Sequence, residues 1–430
     1  MDDASIKSAA TRSIDARDAK RIADLQAVLE VSRELAAVSE LTPLLHKVET
    51  AARKVLECER ATVFLYDRVH HELYSRMATG VDQIRFSADR GIAGEVVRTG
   101  KPDKVQDAYA DPRFNPDIDR QTGFRTRNMI TFPLRGFDDS IVGVLQVLNK
   151  SSGGFEDSDD ELVGTFGAQV GIALQRQMLL DEYAEKQRIQ ADLNIARNIQ
   201  QGLLPKKAPE VAGFDIAGWN QPADETGGDC YDYLIRPDGS LAVTIADATG
   251  HGIGPALMIA ECRALFRATI SLSDDLTGVA SRVNNLLCED LLDDRFVTAF
   301  FGILSPHERV LTYLSAGHGP LLKYTRATDE VAELAANAVP LGIMPDIEFD
   351  PPDRFKMEPG DMMILVTDGF FEWVDPDGEQ YGIQRICDLV RRHRDSTSEQ
   401  IIKTLHEAVV AFTRGTAQDD DLTAVVIKKR

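Results

Sequence analysis

Four aspartates in the second half of this sequence stand where chemistry could be done. They are Asp229 in Gly227-Gly228-Asp229, Asp247 in Ala246-Asp247-Ala248-Thr249-Gly250-His251-Gly252, Asp368 in Thr367-Asp368-Gly369, and Asp420 in Asp419-Asp420-Asp421-Leu422-Thr423. Asp247 and Asp368 follow the apolar runs Leu241–Ile245 and Met362–Val366, and Asp420 precedes Leu422–Ile427. A buried strand delivers its terminal residue to a fixed point at the sheet edge, and glycine lets backbone approach closely. One Asp-Gly is an ordinary turn; the set is a stronger signal. Carboxylates that converge without lysine or arginine repel one another and need a cation, and oxygen-only ligands suit Mg²⁺ or Mn²⁺. Gly250 and Gly252 read as backbone geometry, because no G-x-x-x-x-G-K-[ST] follows. The chain is also read as lacking the Cys-x5-Arg loop of cysteine-dependent phosphatases.

These acids need a sheet to carry them. Residues 206–430 supply strand-like runs at Phe214–Trp219, Leu241–Ile245, Thr298–Leu304, Val310–Leu314, Met362–Val366 and Leu422–Ile427. Helical patterns occupy about 254–271, 276–292 and 398–413. The combination predicts an α/β (α+β) domain, a sheet sandwich flanked by helices. Upstream, Ser158-Asp159-Asp160-Glu161 reads as a capping box before Leu162 and Val163, and the helix it starts runs without a breaker through Leu179 to Leu204, where Pro205 stops it. Ile189, Leu193, Ala196, Ile199 and Leu203 keep a spacing of three to four on it, one narrow apolar seam that seeks a partner helix. Residues 179–205 are therefore read as a linker helix that pairs in a homodimer, joined by the helix around Leu25. Residues 25–178 form a mixed α/β domain with strand-like runs Thr62–Tyr66, Glu72–Met77, Met129–Leu134 and Ile141–Leu148. Residues 1–24 are polar and read as a flexible N-terminus.

The 430 residues suggest two or three domains. With 69 acidic and 48 basic residues the chain carries a formal charge of −21, which argues against nucleic acid and anionic membranes as partners. No apolar run approaches the ~18–20 residues that span a bilayer, and the Met-Asp-Asp-Ala start lacks a signal peptide's pattern. The five cysteines (Cys58, Cys230, Cys262, Cys288, Cys387) are scattered and never C-x-x-C, against a disulfide scaffold or structural zinc. A cytoplasmic location is expected.

Residues 192–430 resemble the SpoIIE-type branch of the metal-dependent (PPM) serine/threonine phosphatases. The resemblance rests on Ala196-Arg197-Asn198-Ile199-Gln200-Gln201-Gly202-Leu203-Leu204-Pro205, Glu225–Asp232, Ala246–Gly252, Ser315-Ala316-Gly317-His318-Gly319-Pro320, Leu365–Gly369 and Asp420-Asp421-Leu422-Thr423. It implies a two-metal Mn²⁺ or Mg²⁺ site in an αββα sandwich. Asp247 would bridge both ions. The Ala248 carbonyl would bind one, with Asp229 beside it, and Asp368 and Asp420 would hold the other. Asp247, Asp368 and Asp420 would thus be catalytic through the metals. The resemblance places His251 in the turn that shapes Asp247, and neither His251 nor His318 is taken as a ligand. A phosphorylated STAS-type anti-sigma-factor antagonist is the substrate by analogy with family relatives.

Residues 25–178 resemble a GAF domain of the cyclic-nucleotide-binding type. The carriers are Gly91-Ile92-Ala93-Gly94-Glu95-Val96, Asp107-Ala108-Tyr109, Asp111-Pro112-Arg113-Phe114, Asp119 with Thr122–Asn128, and Asn149-Lys150, Phe155 and Asp159-Asp160, where Asp160 replaces a usual glutamate. Ile92-Ala93 would open a helix whose free N–H groups favour a phosphate. Thr79, Asp119, Thr122 and Thr126 would line the pocket, and the family's Lys150–Asp159 ion pair would be structural. Cyclic-GMP-selective relatives read guanine with a carboxylate. Thr79 stands at that position here and can donate and accept, so cAMP is favoured over cGMP. The expected whole is a ligand-regulated protein phosphatase. The alternatives are a non-catalytic scaffold, which would usually have lost one of the aspartates, and a nucleotide phosphodiesterase, which would need a histidine-rich metal site absent from this sequence.

Overall fold

A computed structural model describes residues 3–76, 84–290 and 295–430. The chain divides into two units, Met1–Arg188 and Ile189–Arg430.

The first unit begins with helices α1 (Asp3–Ala36) and α2 (Leu41–Val55) and strands β1 (Cys58–Asp67), β2 (Glu72–Ser75) and β3 (Ile84–Ser87). Then come α3 (Gly91–Thr99), β4 (Asp103–Val105), α4 (Asp117–Thr122), β5 (Met129–Arg135), β6 (Ile141–Lys150) and α5 (Asp157–Leu203). The six strands form one antiparallel sheet ordered β3-β2-β1-β6-β5-β4. Leu44, Val48 and Ala52 of α2 and Val163, Phe166 and Val170 of α5 pack on Val63, Leu65, Leu145 and Val147 of the sheet. On Phe64, Leu73 and Val144 sit Ala93 and Val96 of α3. The strand alternation of β1 thus feeds two cores.

One stretch differs from the reading of the sequence. The stretch taken as a flexible N-terminus is helical from Asp3 on, because neither proline nor glycine interrupts it. The helix read from Ser158 to Leu204 is observed as α5, one helix of 47 residues, so residues 179–203 are its distal part, and the division between units falls inside it at Arg188.

The second unit contains β7 (Phe214–Gln221), β8 (Asp229–Ile235), β9 (Leu241–Ala248), α6 (Ile253–Ile270), α7 (Leu276–Asp290), β10 (Val297–Ser305), β11 (Val310–Ala316), β12 (Leu321–Thr325) and β13 (Glu330–Leu334). It ends with β14 (Asp353–Lys356), β15 (Met362–Val366), α8 (Gly369–Glu372), α9 (Ile383–Arg392), α10 (Ser398–Thr413) and β16 (Leu422–Lys429). Its strands form two antiparallel five-stranded sheets, β14-β11-β10-β9-β8 and β13-β12-β15-β16-β7. Val243, Ile245, Phe300, Leu365, Val425 and Ile427 fill the space between them. Helices α6 and α7 cover the outer face of the first sheet through Ile259, Phe266 and Val283, and α9 and α10 cover the second through Ile386, Ile401 and Leu405. This is the expected αββα sandwich. Its strands are near-continuously apolar where both faces are buried, as in Met362–Val366.

Candidate active site

The strand ends bring the predicted aspartates together. Asp229 opens β8 and pairs in register with Asp247 near the end of β9. In the facing sheet β15 ends at Val366, paired with Ala424 of β16, so Asp368 and Asp420 leave the same end of neighbouring strands. Asp368 caps α8, its Oδ1 accepting the Gly369 N–H at 3.0 Å. Asp420 Oδ1 accepts the Asp421 N–H at 2.8 Å.

Two threonines clip the sheets at this end. The hydroxyls of Thr367 and Thr423 donate to Asp229 Oδ2 at 2.8 and 2.6 Å. Thr423 in turn accepts from Asn220 Nδ2 at 2.8 Å. Asp421 fixes the turn before Asp229, its Oδ1 taking the Ala223 N–H at 2.8 Å and its Oδ2 the Asp229 N–H at 3.2 Å. Gly227 is required by that contact, since a Cβ there would lie 2.3 Å from Asp421 Oδ2. A Cβ on Gly228 would lie 2.8 Å from the Ala248 carbonyl, which the sequence reading named as a metal donor. Gln200 grips the same turn from the end of α5. Its Nε2 donates to the Gly227 carbonyl at 2.5 Å and its Oε1 accepts the Gly227 N–H at 3.0 Å.

Charge describes the site as clearly as distance. Burial and the Asp368, Asp420 and Asp421 carboxylates push Asp247 up to about 8. Burial, then Asp420, raises Asp368 to about 6. Burial, then Asp247 and Asp421, pushes Asp229 well above the ordinary carboxylate range. Among the described residues no lysine or arginine stands with the main influences on any of the three. The acids do not close into a cage. Among the described residues no three acidic, histidine or cysteine groups stand together as a ready-made ion site. The fit to a cation rests on the donor set itself. Its oxygens are hard, its negative charge is mutually repulsive, and a divalent ion would relieve both burial and repulsion.

The remaining candidates sort by their surroundings. His251 is exposed, with Nδ1 3.2 Å from Asp224. His318 is buried, and burial pushes it down to about 4, so its ring is neutral. The spacing Cys-x5-Arg does occur, at Cys230 and Arg236, contrary to the sequence reading. Cys230 lies within β8 and Arg236 just past its end, with the intervening residues in the extended strand rather than in a loop, and burial raises the Cys230 thiol. The geometry is therefore not that of a thiolate phosphate cradle. Sequence reasoning passed over Gln200, Thr367, Asp421 and Thr423 as site residues. Their signal was present, since each lies within the quoted motifs, but their partners are distant in sequence.

In the first unit a cavity of about 550 Å³ is lined by Ile92, Ala93, Asp119 and Thr126, with Arg90 and Arg113 among its other walls. Gly91, at a φ of 73°, turns the chain into α3. Asp119 is occupied by protein partners. It accepts the Tyr109 hydroxyl at 3.1 Å and the Thr126 N–H and hydroxyl at 2.7 and 2.8 Å. Thr122 closes α4, and Thr79 lies outside the described residues. Lys150 and Asp159 form the expected ion pair. Asn149 stitches the neighbouring loop, accepting the Arg127 N–H and donating to the Arg125 carbonyl.

Residues 237–430 match the family model described as stage II sporulation protein E (SpoIIE), and residues 40–174 match the GAF domain. Over 247 residues the chain is 27% identical to the phosphoserine phosphatase RsbU of Bacillus subtilis, covering 57% of this chain and 72% of RsbU. Over 172 residues it is 31% identical to the probable 3′,5′-cyclic phosphodiesterase pde-5 of Caenorhabditis elegans, covering 36% of this chain and 23% of that protein. The SiaA-PP2C domain of Pseudomonas aeruginosa superposes with a TM-score of 0.51 at 23% identity, covering 57% of this chain and 98% of that domain. That last likeness speaks for fold alone. No helix among the described residues is long and apolar enough to cross a membrane. The chain thus carries an N-terminal GAF domain followed by a SpoIIE-type PP2C domain, the domain of the metal-dependent serine/threonine phosphatases.

Proposed function

We propose that this chain is a cytoplasmic, dimeric, ligand-regulated protein phosphatase that removes phosphate from serine or threonine of a signalling protein, with Mn²⁺ or Mg²⁺ as cofactor. The observation that carries the reading is the meeting of Asp229, Asp247, Asp368 and Asp420 at one end of the two sheets, with no basic residue among the described ones to balance them. A scaffold derived from such an enzyme would have no need to keep so costly a cluster.

Asp247, Asp368 and Asp420 would hold the ions, with the Ala248 carbonyl and Asp229 beside them. Bound there, divalent cations neutralise the carboxylates and supply the Lewis acidity that makes a phosphoryl group electrophilic. The protein's own contribution is positioning. Thr367 and Thr423 orient Asp229 through its Oδ2. Asp421 is engaged by backbone N–H groups at both its oxygens. It sets the turn that places Asp229.

The regulatory part of the reading joins three observations. The GAF cavity gathers four of the six predicted ligand residues, supporting a small-molecule regulator, with cAMP favoured over cGMP. Gln200 ties the end of α5 to the Gly227 turn, a route by which repacking of that helix would shift Asp229. Ile22, Leu25 and Leu29 of α1 and Tyr183, Ile189, Ile195 and Ile199 of α5 are exposed, which supports a homodimer through these helices. RsbU is a phosphoserine phosphatase, and a STAS-type phosphoprotein is the proposed substrate here.

The test is hydrolysis of p-nitrophenyl phosphate and of a phosphorylated STAS protein, with EDTA, with Mn²⁺, and with Mn²⁺ plus each cyclic nucleotide. Activity that needs Mn²⁺ and disappears in Asp247→Asn supports the phosphatase. Full turnover in chelator overturns it. Calorimetric titration of the chain with cAMP and cGMP tests the regulator, and tighter cGMP binding or none at millimolar concentration overturns that part.

A further inference from the structure

Strand β7 is the last strand of its sheet, and its outer side is only partly used. Lys429 and Thr423 of β16 spend their backbone groups on the β15 side, through Lys429 N–H to Asp361 and the Thr423 carbonyl to Thr367. The alternate residues of β16 therefore face β7. By the same alternation Asp215, Ala217 and Trp219 bond inward, while Phe214, Ile216 and Gly218 face out. Two of the outward groups are satisfied. The Phe214 N–H donates to Val211 at 3.0 Å, and the Gly218 carbonyl accepts the Tyr231 hydroxyl at 3.1 Å. The N–H and carbonyl of Ile216 and the N–H of Gly218 have no partner on this side among the described residues.

These groups border a groove of about 650 Å³. One wall is the segment Lys206–Ala208, the other is the first half of α10, and Ile216, Ala217, Trp219 and Ile402 lie along it. The rings of Trp219 and His406 pack together there, with centroids 4.6 Å apart. The rim is basic in a chain whose net charge is −21. Lys206 and Lys207 form no ion pair among the described residues, and Lys403 has only Glu407 at 3.9 Å. Of the acids lining the groove, Asp215 is committed to the Ser398 N–H at 2.8 Å and to Arg430 at 3.4 Å, which leaves Glu399. Lysines that merely guard an edge sit on the strand itself. Here Phe214–Gln221 contains none, and the lysines come from both walls.

We propose that this groove is a peptide-docking site. It takes an extended, acidic segment of a partner protein, which adds a strand to β7 through Ile216 and Gly218 while its carboxylates meet Lys206, Lys207 and Lys403. The site goes beyond the phosphatase reading and does not depend on it. No described metal-site aspartate lines the groove.

The test is fluorescence anisotropy of labelled decapeptides on the full chain. The probes are an alternating Glu-Val peptide, its Lys-Val counterpart, and Glu-Val peptides N-methylated on one or the other set of alternate amides. The Glu-Val peptide should bind. Its affinity should fall about tenfold or more in Lys206→Glu/Lys207→Glu/Lys403→Glu and with added salt. N-methylation of one set should abolish binding and of the other spare it. Unchanged binding in the triple variant overturns the proposal, as does no binding at millimolar peptide. Indifference to both methylation patterns overturns strand pairing, and equal displacement by inorganic polyphosphate would reduce the groove to a general anion patch. The triple variant should keep its parent's far-UV circular dichroism spectrum and thermal transition, which shows that it is folded. Asp247→Asn should still bind the peptide, so failure of one reading is separable from failure of the other.

Discussion

Replacing Asp247 by Asn should stabilise the metal-free protein and destroy its activity. Burial and the neighbouring carboxylates hold the Asp247 carboxyl up at about 8, far above its ordinary ~3.9. The native state therefore keeps a proton that the unfolded chain gives up. Stability falls as pH rises from about 4 and levels off only above about 8. At pH 7 about three units of that window have been crossed, each worth about 1.4 kcal/mol, so the penalty at this residue is ~2–4 kcal/mol. Asparagine keeps the shape and does not ionise. In EDTA at pH 7 the variant's C-terminal transition should rise by roughly 5–15 °C, and the two proteins should converge toward pH 4. With Mn²⁺ the order should reverse, because only the parent gains binding energy from the ion, and turnover of the variant should be lower by at least ~10². Differential scanning calorimetry at several pH values, with and without Mn²⁺, reads the first effect and p-nitrophenyl phosphate hydrolysis the second. A variant less stable than its parent in EDTA at pH 7, or one that keeps its turnover, would refute the account of these acids as a strained cation site.

Three further outcomes are expected. Thr423→Val removes the 2.6 Å bond to Asp229 and should weaken Mn²⁺ binding by about 10–100-fold with activity recovered at saturating metal, as read by calorimetric titration; an unchanged isotherm would deny it a positioning role. Gln200→Ala frees both backbone groups of Gly227 and should raise the Mn²⁺ concentration for half-activity about tenfold while costing only ~1–2 kcal/mol of stability, a split visible by comparing metal titration with denaturant unfolding. In the GAF domain, burial raises Glu49 to about 7 against the opposing Val63 N–H bond; stability of that unit should fall from about pH 4.5 to 7 and then level, and Glu49→Gln should gain ~1–2 kcal/mol at pH 8, discounted for its partial exposure, with equal unfolding curves at pH 8 contradicting it.

Local pattern carried much of this protein. Apolar runs bounded by turn residues located Met362–Val366 to the residue, and helical spacing located Ser398–Thr413, because periodicity and end signals are written within one element. The metal-site aspartates were legible from equally local signals, Asp247 and Asp368 from a preceding apolar run and a nearby glycine, Asp229 from the Gly227-Gly228 turn, and Asp420 from the apolar run that follows it. Strand β8 was missed as an element, since Asp229 was read only as part of a turn, and so were the short edge strands β3, β4, β13 and β14. Such strands have little pattern of their own and are made by pairing.

What only the tertiary structure decided is which groups already have partners. The sequence by itself named Asp229 and Asp420 as metal ligands and gave the adjacent Asp421 no role. Folding gives Asp229 two threonine hydroxyls from the opposite sheet, spends Asp421 on backbone N–H groups, and leaves Asp420 exposed. Asp119 and Thr126, read as ligand contacts, are bonded to each other. Gln200 met Gly227, and the open side of β7 met three lysines, across gaps that no local spacing records. Residue types and spacing state what chemistry a side chain is capable of. Its partners, and so its charge and availability, are set by contacts between segments far apart in the chain, which exist only once the sheets are packed.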